Sequence, residues 1–244
     1  RPDWEKELSP GQVSVIYTKD FEGEQKDLPA LLDRIPGPFI DHMNGQGHYT
    51  TARIRGSTAS QVDVYIDGVR MHMNGEAAVN LSAIPVGNIE RTEVYRGYVP
   101  ARFIGAPLGG VINIVTKKPQ SGHGYVTQGF RSYGGYSSTY EYSMPLGTGS
   151  LMATWGRAIW KGDFKFYRPL RHGEVPGGFP QTFRRRSNDY QKNDGMVKWQ
   201  DSHWMVKAQY RDDKEGRAHA MAGDFWNGEN VEYQDGYMDE KMNT

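Results

Sequence analysis

The chain has 244 residues, and its 29 Lys and Arg residues balance its 29 Asp and Glu residues. A net charge of zero gives no support to nucleic acid or to an acidic partner. The chain contains no cysteine, which excludes a disulfide framework and thiolate chemistry and suits a cell-envelope compartment. Thirty glycines, fifteen tyrosines and six tryptophans favour a fold with many strands and turns.

The first predicted elements are a strand and a short helix. Residues 13–17 are mostly apolar and predict a strand. Residues 27–36 predict a helix, because Asp27 can cap its first turn and Pro36 can end it. The apolar positions of this segment recur on one helical face, so the helix is expected to pack against a core.

The rest of the first half contains further short strands separated by turn signals. Residues 41–49 are polar and predict a loop, whereas residues 61–71 predict a hairpin with a tight turn at Asp-Gly. Residues 89–97 and 111–116 predict two more strands. These elements together predict a compact α+β domain over residues 1–120.

The second half changes to longer segments with a period of two. In residues 203–211, Trp204, Val206, Ala208 and Tyr210 share one face, and the alternate positions are mostly polar. Segments 125–131, 136–144, 151–160 and 194–199 show the same pattern with varying regularity. Segments of about ten residues with this period, rich in Tyr and Trp, match transmembrane β-strands that are apolar outside and polar inside.

The connections between these segments support the same prediction. Residues 145–149 and 200–202 form short turns, whereas residues 161–189 form a long loop. Short turns that alternate with long loops are typical of outer-membrane barrels. Residues 212–244 are predicted to be a polar tail with no partner strand. A soluble β-sandwich, in which half-buried strands also alternate, is the alternative for this half.

Four motifs of the first half closely resemble the plug domain of TonB-dependent outer-membrane receptors, in the same order. They are ARIRG at 52–56, VDVYIDGV at 62–69, IERTEVYRG at 89–97 and GGVINIVTKK at 109–118. The resemblance covers roughly residues 9–119, and the later strands are similar to the start of that family's 22-stranded barrel. The expected fold is therefore an α+β plug domain (residues 1–120) followed by antiparallel transmembrane β-barrel strands, about five of them (residues 121–244).

The resemblance implies a nutrient importer in the bacterial outer membrane, not an enzyme. The implied cargo is a metal complex such as a ferric siderophore, with cobalamin or haem as alternatives. The implied partners are TonB with its inner-membrane energy-transducing complex, the small-molecule chelate, and outer-membrane lipid and lipopolysaccharide, with no nucleic acid and no cofactor. The segment that TonB grips is not recognisable here, so a plug-and-barrel binding or adhesion protein not coupled to TonB remains an alternative.

The predicted strands are too few to form a closed barrel. Twenty-two strands need several hundred residues beyond the plug, whereas 125 residues follow residue 119. Five strands cannot close, and an open edge in lipid would leave backbone groups unsatisfied at several kcal/mol each. We expect the chain to be a fragment of a longer protein; completion of the barrel by another polypeptide is the alternative.

Candidate ligand-binding residues lie in two segments of the first half. By resemblance, plug loops of this kind face the cargo, and imidazole and thioether groups can contact soft metals or haem. The alternative is that these are ordinary loop residues. The candidates are His42, Met43, His48, Tyr49, Met71, His72 and Met73.

Two arginines are candidates for holding the plug in place. Arg55 and Arg96 each precede a glycine, and the resemblance implies that they face the barrel wall and pair with its acidic residues. Enzyme motifs such as Gly-x-Ser-x-Gly and His-Glu-x-x-His do not occur, and no Gly-Lys-Ser/Thr follows the glycines at 105–110. Gly109 and Gly110 are therefore expected to permit close packing before the strand at 111–116, and no metal site is predicted.

Overall fold

The structure is a computed structural model whose chain separates into two compact units. The first contains Arg1–Ser121, Met144–Leu151 and Gln200–Trp204, and the second contains Gly122–Ser143, Met152–Trp199 and Met205–Thr244. The structure describes residues 12–21, 27–42, 47–71, 78–97, 99–103, 108–120, 122–168, 181–184, 188–217 and 236–243. In these ranges, no helix has the length and apolar character needed to cross a membrane.

Between residues 12 and 116, the described part of the first unit contains seven strands and one short α-helix. They are β1 (Gln12–Tyr17), α1 (Leu28–Leu32), β2 (Pro38–His42), β3 (Thr50–Ile54), β4 (Val62–Ile66), β5 (Val69–Arg70), β6 (Ile89–Arg96) and β7 (Gly110–Thr116). Five of the strands form a mixed sheet in the order β1-β6-β7-β4-β5, in which β4 and β7 run parallel. This confirms the strands predicted at 13–17, 61–71, 89–97 and 111–116.

A separate hairpin corrects the prediction of a loop over residues 41–49. Strands β2 and β3 pair antiparallel from Pro38 opposite Ile54 to His42 opposite Thr50, so part of the polar segment is strand. Ile40 and Ala52 face each other in this hairpin and are buried in the core. The sequence signal was weak because the apolar face of β2 contributes few residues among polar neighbours.

The helix forms where expected but is shorter. The Asp27 carboxylate accepts a hydrogen bond of 3.1 Å from the Ala30 backbone N–H and caps the first turn. Leu28, Leu31 and Leu32 are buried, as the predicted apolar face requires. The helix ends at Leu32, before the proline at position 36. One face of the sheet, the helix and the β2–β3 hairpin enclose a single apolar cluster centred on Val94, Ile112 and Ile114.

Gly110 confirms the expectation of close packing before the last strand of the sheet. Its φ is +119°, and a Cβ atom there would lie 2.5 Å from the Tyr95 carbonyl oxygen. The hairpin turn Asp67–Gly68 also has positive φ at both residues, +50° and +82°, as a two-residue turn between twisted strands requires. The Asp67 carboxylate accepts hydrogen bonds from the Thr116 backbone N–H (2.8 Å) and hydroxyl (2.6 Å), which fixes the end of β7 to this turn.

The second unit is dominated by one large sheet. Its strands are β8 (His123–Arg131), β9 (Gly135–Leu146), β10 (Gly149–Trp160), β13 (Tyr190–Gln200), β14 (Met205–Arg217) and β15 (Gly236–Asn243), and the order is β15-β14-β13-β10-β9-β8. A separate hairpin joins β11 (Lys165–Arg168) to β12 (Gln181–Arg184). The five strands predicted in this half are all confirmed; four of them have slightly wider bounds, and the strand predicted at 203–211 begins later, at Met205, and extends to Arg217.

The prediction of a partnerless tail over residues 212–244 is wrong. Strand β14 continues to Arg217, and β15 pairs with it antiparallel from Tyr210 opposite Asn243 to Arg217 opposite Gly236. The alternation was lost because charges occur at successive positions here. The structure accommodates these charges by pairing them: Arg211 Nε lies 3.1 Å from Asp213 Oδ2, and Lys192 Nζ lies 3.2 Å from Glu215 Oε1.

The large sheet exposes many of its large apolar side chains and buries several charged ones. Val206 and Tyr210 are 62% and 39% exposed, whereas Arg211 and Asp213 are 2% and 3% exposed. Trp155 is also exposed and stacks on Tyr210, with ring centroids 6.4 Å apart. This arrangement is the reverse of a soluble sandwich, in which alternating strands bury their apolar side.

Candidate functional site

The β2–β3 hairpin positions most of the candidate ligand-binding residues that the structure describes. Residues 38, 40 and 42 alternate onto one side of β2, because successive side chains of a strand point to opposite faces. Ile40 on this side is buried in the core, whereas His42 at the end of the strand is exposed. Its cross-strand partner Thr50 is fully buried. The hairpin therefore extends from the core to the surface between Ile40 and His42.

Thr50 connects three segments through hydrogen bonds. Its hydroxyl donates to the His48 carbonyl oxygen at 2.7 Å and lies 3.3 Å from His42 Nδ1. Its backbone N–H donates to the Asn80 side-chain oxygen at 3.1 Å. The Tyr49 hydroxyl donates to the Ala78 carbonyl oxygen at 3.2 Å. These bonds hold the segment that begins β3 against residues 78–82.

The structure brings three of the candidates together and separates a fourth. His42 is exposed, His48 is buried and Tyr49 is partly buried, and all three lie at the end of the hairpin where β2 connects to β3. Met71 instead packs against the apolar core. Three further candidates lie outside the described residues: Met43, His72 and Met73. Within the described ranges, no three His, Asp or Glu side chains are grouped so as to hold a metal ion.

The two candidate wall-facing arginines lie close to each other. Arg96 is 8% exposed, and its guanidinium donates hydrogen bonds to the Pro36 carbonyl oxygen and the Ser14 hydroxyl. Burial lowers the pKa of Arg96 below its ordinary value, and the charge of Arg55 lowers it further. Arg55 is exposed. Arg96 thus binds groups within the first unit, and contact of either arginine with a barrel wall stays a prediction.

A buried carboxylate on β6 forms the most connected polar group of the first unit. Glu93 is 2% exposed and accepts hydrogen bonds from Arg91 Nε (2.9 Å), the Tyr95 hydroxyl (2.8 Å) and Asn113 Nδ2 (2.9 Å). Arg102 Nη2 lies 3.4 Å from the same carboxylate. Burial raises the pKa of Glu93, but the hydrogen bonds from Asn113, Tyr95 and Arg91 and the charge of Arg91 outweigh it, so the net pKa is lowered.

Aromatic packing extends this network to the turn after β6. The ring of Phe103 lies 4.8 Å from the ring of Tyr65 and 5.3 Å from that of Tyr95, measured between centroids. The Arg102 guanidinium lies over both Tyr95 and Phe103. The sequence contains no motif that points to this cluster, although Arg91, Glu93 and Tyr95 share one face of β6 by their spacing of two.

Comparisons with known proteins agree with this architecture. Residues 5–111 match the family model described as the TonB-dependent Receptor Plug Domain. The chain is 28% identical over 195 residues to the vitamin B12 transporter BtuB of Vibrio vulnificus. This alignment covers 78% of this chain and 32% of that protein.

Two solved structures share the fold. The pyoverdine outer membrane receptor FpvA of Pseudomonas aeruginosa PAO1 aligns with a TM-score of 0.64 at 18% identity, over 86% of this chain and 28% of that one. The siderophore receptor PirA of Acinetobacter baumannii aligns with a TM-score of 0.55 at 22% identity, over 88% of this chain and 33% of that one. The chain therefore spans about a third of the length of the proteins it matches.

Proposed function

We propose that the chain contains the plug domain and the first barrel strands of a TonB-dependent receptor, because residues 5–111 match the model of that plug domain and the chain shares the fold of the receptor FpvA. On this basis we propose that the protein imports a scarce nutrient across the outer membrane. We further propose that residues 1–120 form the plug and residues 121–244 the N-terminal portion of the barrel.

One observation carries this proposal. The plug match at residues 5–111 is followed in the same chain by a sheet in which Val206 and Tyr210 are exposed, whereas Arg211 and Asp213 are buried. In an outer-membrane barrel, the exposed side that carries Val206 and Tyr210 would contact lipid. The side that carries Arg211 and Asp213 would face the polar lumen.

The proposed cargo is a metal complex. The structural neighbour PirA is named as a siderophore receptor, which favours a ferric siderophore. The relative with 28% identity is named as a vitamin B12 transporter, which favours cobalamin as the second candidate. Both candidates are metal chelates too large and too scarce for passive diffusion to supply, so both need an energised importer.

Energy for import is proposed to come from TonB and its inner-membrane complex. This partner follows from the receptor family and from the presence of the plug. Residues 1–11, where the chain begins, lie outside the described residues. Outer-membrane lipid and lipopolysaccharide are the further partners proposed for the exposed side of the large sheet.

Arg55 and Arg96 are proposed to hold the plug within the lumen. Arg55 is exposed and Arg96 is close to it, so a wall carboxylate that approached Arg55 would also relieve the repulsion between the two guanidinium groups. Such an ion pair would fix the geometry more than it would add stability, because its burial carries a desolvation cost.

Whole-cell uptake tests the proposed function. A strain that lacks the full-length gene would be offered radiolabelled ferric siderophores, cobalamin and haem, with and without complementation by the wild-type gene. We expect complementation to restore uptake of one of these complexes only when TonB is present. Uptake that does not depend on TonB, or ligand binding with no uptake at all, would instead support the uncoupled binding or adhesion protein.

A further inference from the structure

The two faces of the first unit's sheet are covered to different extents. On one face, α1 and the β2–β3 hairpin contribute to the large apolar cluster centred on Val94. On the other face, the described residues form a smaller cluster of four buried side chains: Tyr65, Tyr95, Phe103 and Val111. Of these four, Phe103 alone lies outside the sheet. The cover of this second face that the structure describes therefore comes from residues 99–103, a segment that we call the strap.

The strap is a single turn that is held to the sheet by Phe103 and Arg102. The Phe103 backbone N–H donates a hydrogen bond of 3.0 Å to the Pro100 carbonyl oxygen, which closes the turn. The ring of Phe103 packs against the rings of Tyr65 and Tyr95, and Arg102 Nη2 donates to the Tyr95 hydroxyl at 2.6 Å. Because the Arg102 side chain is 46% exposed, this hydrogen bond is formed at the surface, where water competes for it.

Two buried polar side chains lie next to this hydrogen bond. Glu93 is 2% exposed and accepts from the Tyr95 hydroxyl at 2.8 Å, which links it to Arg102. Its cross-strand neighbour Asn113 is 6% exposed, and among the described residues the Asn113 Oδ1 atom has no hydrogen-bond partner. A buried acceptor without a partner costs free energy in the closed unit. Movement of the strap would let this acceptor bind water or a polar solute.

We propose that the strap is a releasable closure over a polar strip formed by Glu93, Asn113 and the Tyr95 hydroxyl. Loss of the Arg102–Tyr95 hydrogen bond lets residues 99–103 leave the sheet, and the exposed strip then offers hydrogen bonds to a hydrophilic cargo that moves along it. The cluster on the opposite face stays closed, because opening of the strap breaks few buried contacts and needs less free energy than unfolding of the unit. The passage of cargo rests on the proposed import, whereas the movement of the strap does not.

Cysteine labelling of the full-length receptor measures the opening of each face separately. Val111 on the second face and Val94 on the opposite face are both 0% exposed, so Val111→Cys and Val94→Cys are matched probes. The receptor is purified in detergent and treated with a charged maleimide, and the receptor without introduced cysteine gives the background. We expect Arg102→Leu to raise the labelling rate of Val111→Cys by about tenfold, as loss of a hydrogen bond to a charged group implies. The rate of Val94→Cys should not change.

Two further variants and a second measurement separate release of the strap from misfolding. Arg102→Lys keeps a donor and should raise the labelling rate less than Arg102→Leu, whereas Tyr95→Phe removes the acceptor and should raise it to a similar extent. Amide hydrogen exchange of the receptor without cysteine makes the same comparison. Residues 99–103 should exchange faster in Arg102→Leu, while β6 and β7 keep their wild-type protection.

The same two probes are then followed in cells that are offered radiolabelled cyanocobalamin and ferric enterobactin. We expect TonB-dependent uptake of one complex to be accompanied by faster labelling of Val111→Cys and not of Val94→Cys. Equal labelling of both probes, or no effect of Arg102→Leu on Val111→Cys, would overturn the inference. Uptake without labelling of Val111→Cys would also overturn it and leave the proposed function standing. Absence of all uptake, with release of the strap still seen in the purified receptor, would instead contradict the proposed function and the passage of cargo.

Discussion

In the first unit, Val94 and Ile112 lie fully buried on the central strands, whereas in the second unit Val206 is exposed and Arg211 and Asp213 are buried. Both units consist mainly of β-strands with a side-chain period of two. The difference lies in which side chains are removed from the surface, and it indicates that the two units have different surroundings. The first unit has the apolar core of a water-soluble domain, and the second has the reversed pattern of a sheet with lipid on its outer side.

The substitution with the largest expected effect on stability tests how strongly the first unit depends on close packing. Gly110→Ala should destabilise it by about 3 kcal/mol or more, because the new Cβ would lie 2.5 Å from the Tyr95 carbonyl oxygen and φ is +119°. Gly68→Ala is the control, since Gly68 also has positive φ but nothing within 4 Å of the Cβ position, so about 1 kcal/mol is expected. Amide hydrogen exchange of β4, β6 and β7 measures both variants. Equal protection in the two would contradict the packing argument.

The next prediction compares exposed valines of the two units. Val69 in the first unit is 66% exposed and Val197 in the second is 49% exposed, so neither fills a protein core. Val197→Arg should cost about 2 kcal/mol, because it places a charge on the lipid side of a strand. Val69→Arg should stay within about 0.5 kcal/mol, as surface substitutions do. Urea unfolding of the full protein in lipid vesicles is the measurement, and equal small effects would show that the second sheet faces water.

A third prediction separates the two arginines of the first unit. Arg96→Ala should destabilise the unit by about 1–2 kcal/mol, because it leaves the Pro36 carbonyl and the Ser14 hydroxyl without this donor. Arg55→Ala should change its stability little, since the side chain is exposed. If both arginines hold the plug in the lumen, both variants should admit a bulky antibiotic through the outer membrane. Exclusion of the antibiotic by both variants would count against that role.

The prediction with the smallest expected effect concerns the dependence of stability on pH. The folded protein lowers the pKa of Glu93, so this carboxylate contributes stability at neutral pH that is lost as the pH falls through the ordinary carboxyl range to the lower folded value. Glu93→Gln should cost about 1 kcal/mol at neutral pH and should flatten the loss of stability in acid. Unfolding temperatures between pH 7 and pH 3 (roughly the range of carboxyl titration) measure the slope. A variant with the same acid sensitivity as the wild type would show that Glu93 is not the responsible group.

The sequence predicts most strands because side-chain alternation is a local signal. Trp204, Val206, Ala208 and Tyr210 were assigned to one face by their spacing, and the structure leaves all four exposed. The same reasoning fails where charges interrupt the alternation. Residues 212–217 carry charges on both faces, and their strand pairing depends on β15, which is about twenty residues distant along the chain.

The candidate site was only partly predictable for a related reason. Sequence indicated His42, His48 and Tyr49, because imidazole and phenol groups have recognisable chemistry. It did not indicate Thr50, whose role depends on cross-strand pairing with His42 and on contact with Asn80, thirty residues away. The sequence gives no signal of the partners of Glu93, because Arg102 and Asn113 approach it only in the folded sheet.

The reversal of burial in the second unit is the central claim, and spin labelling tests it most directly. The 244 residues contain no cysteine, so single cysteines for labels can be introduced cleanly along β14 in the full-length protein reconstituted in lipid. The positions are Val206, Lys207, Ala208, Gln209 and Tyr210, with Ser202 in the preceding turn as the water-exposed reference. We predict that labels at 206, 208 and 210 collide readily with oxygen and are shielded from a soluble nickel chelate, whereas labels at 207 and 209 show low oxygen accessibility. Access of the nickel chelate to 206, 208 and 210 at the level seen at Ser202 would contradict the account.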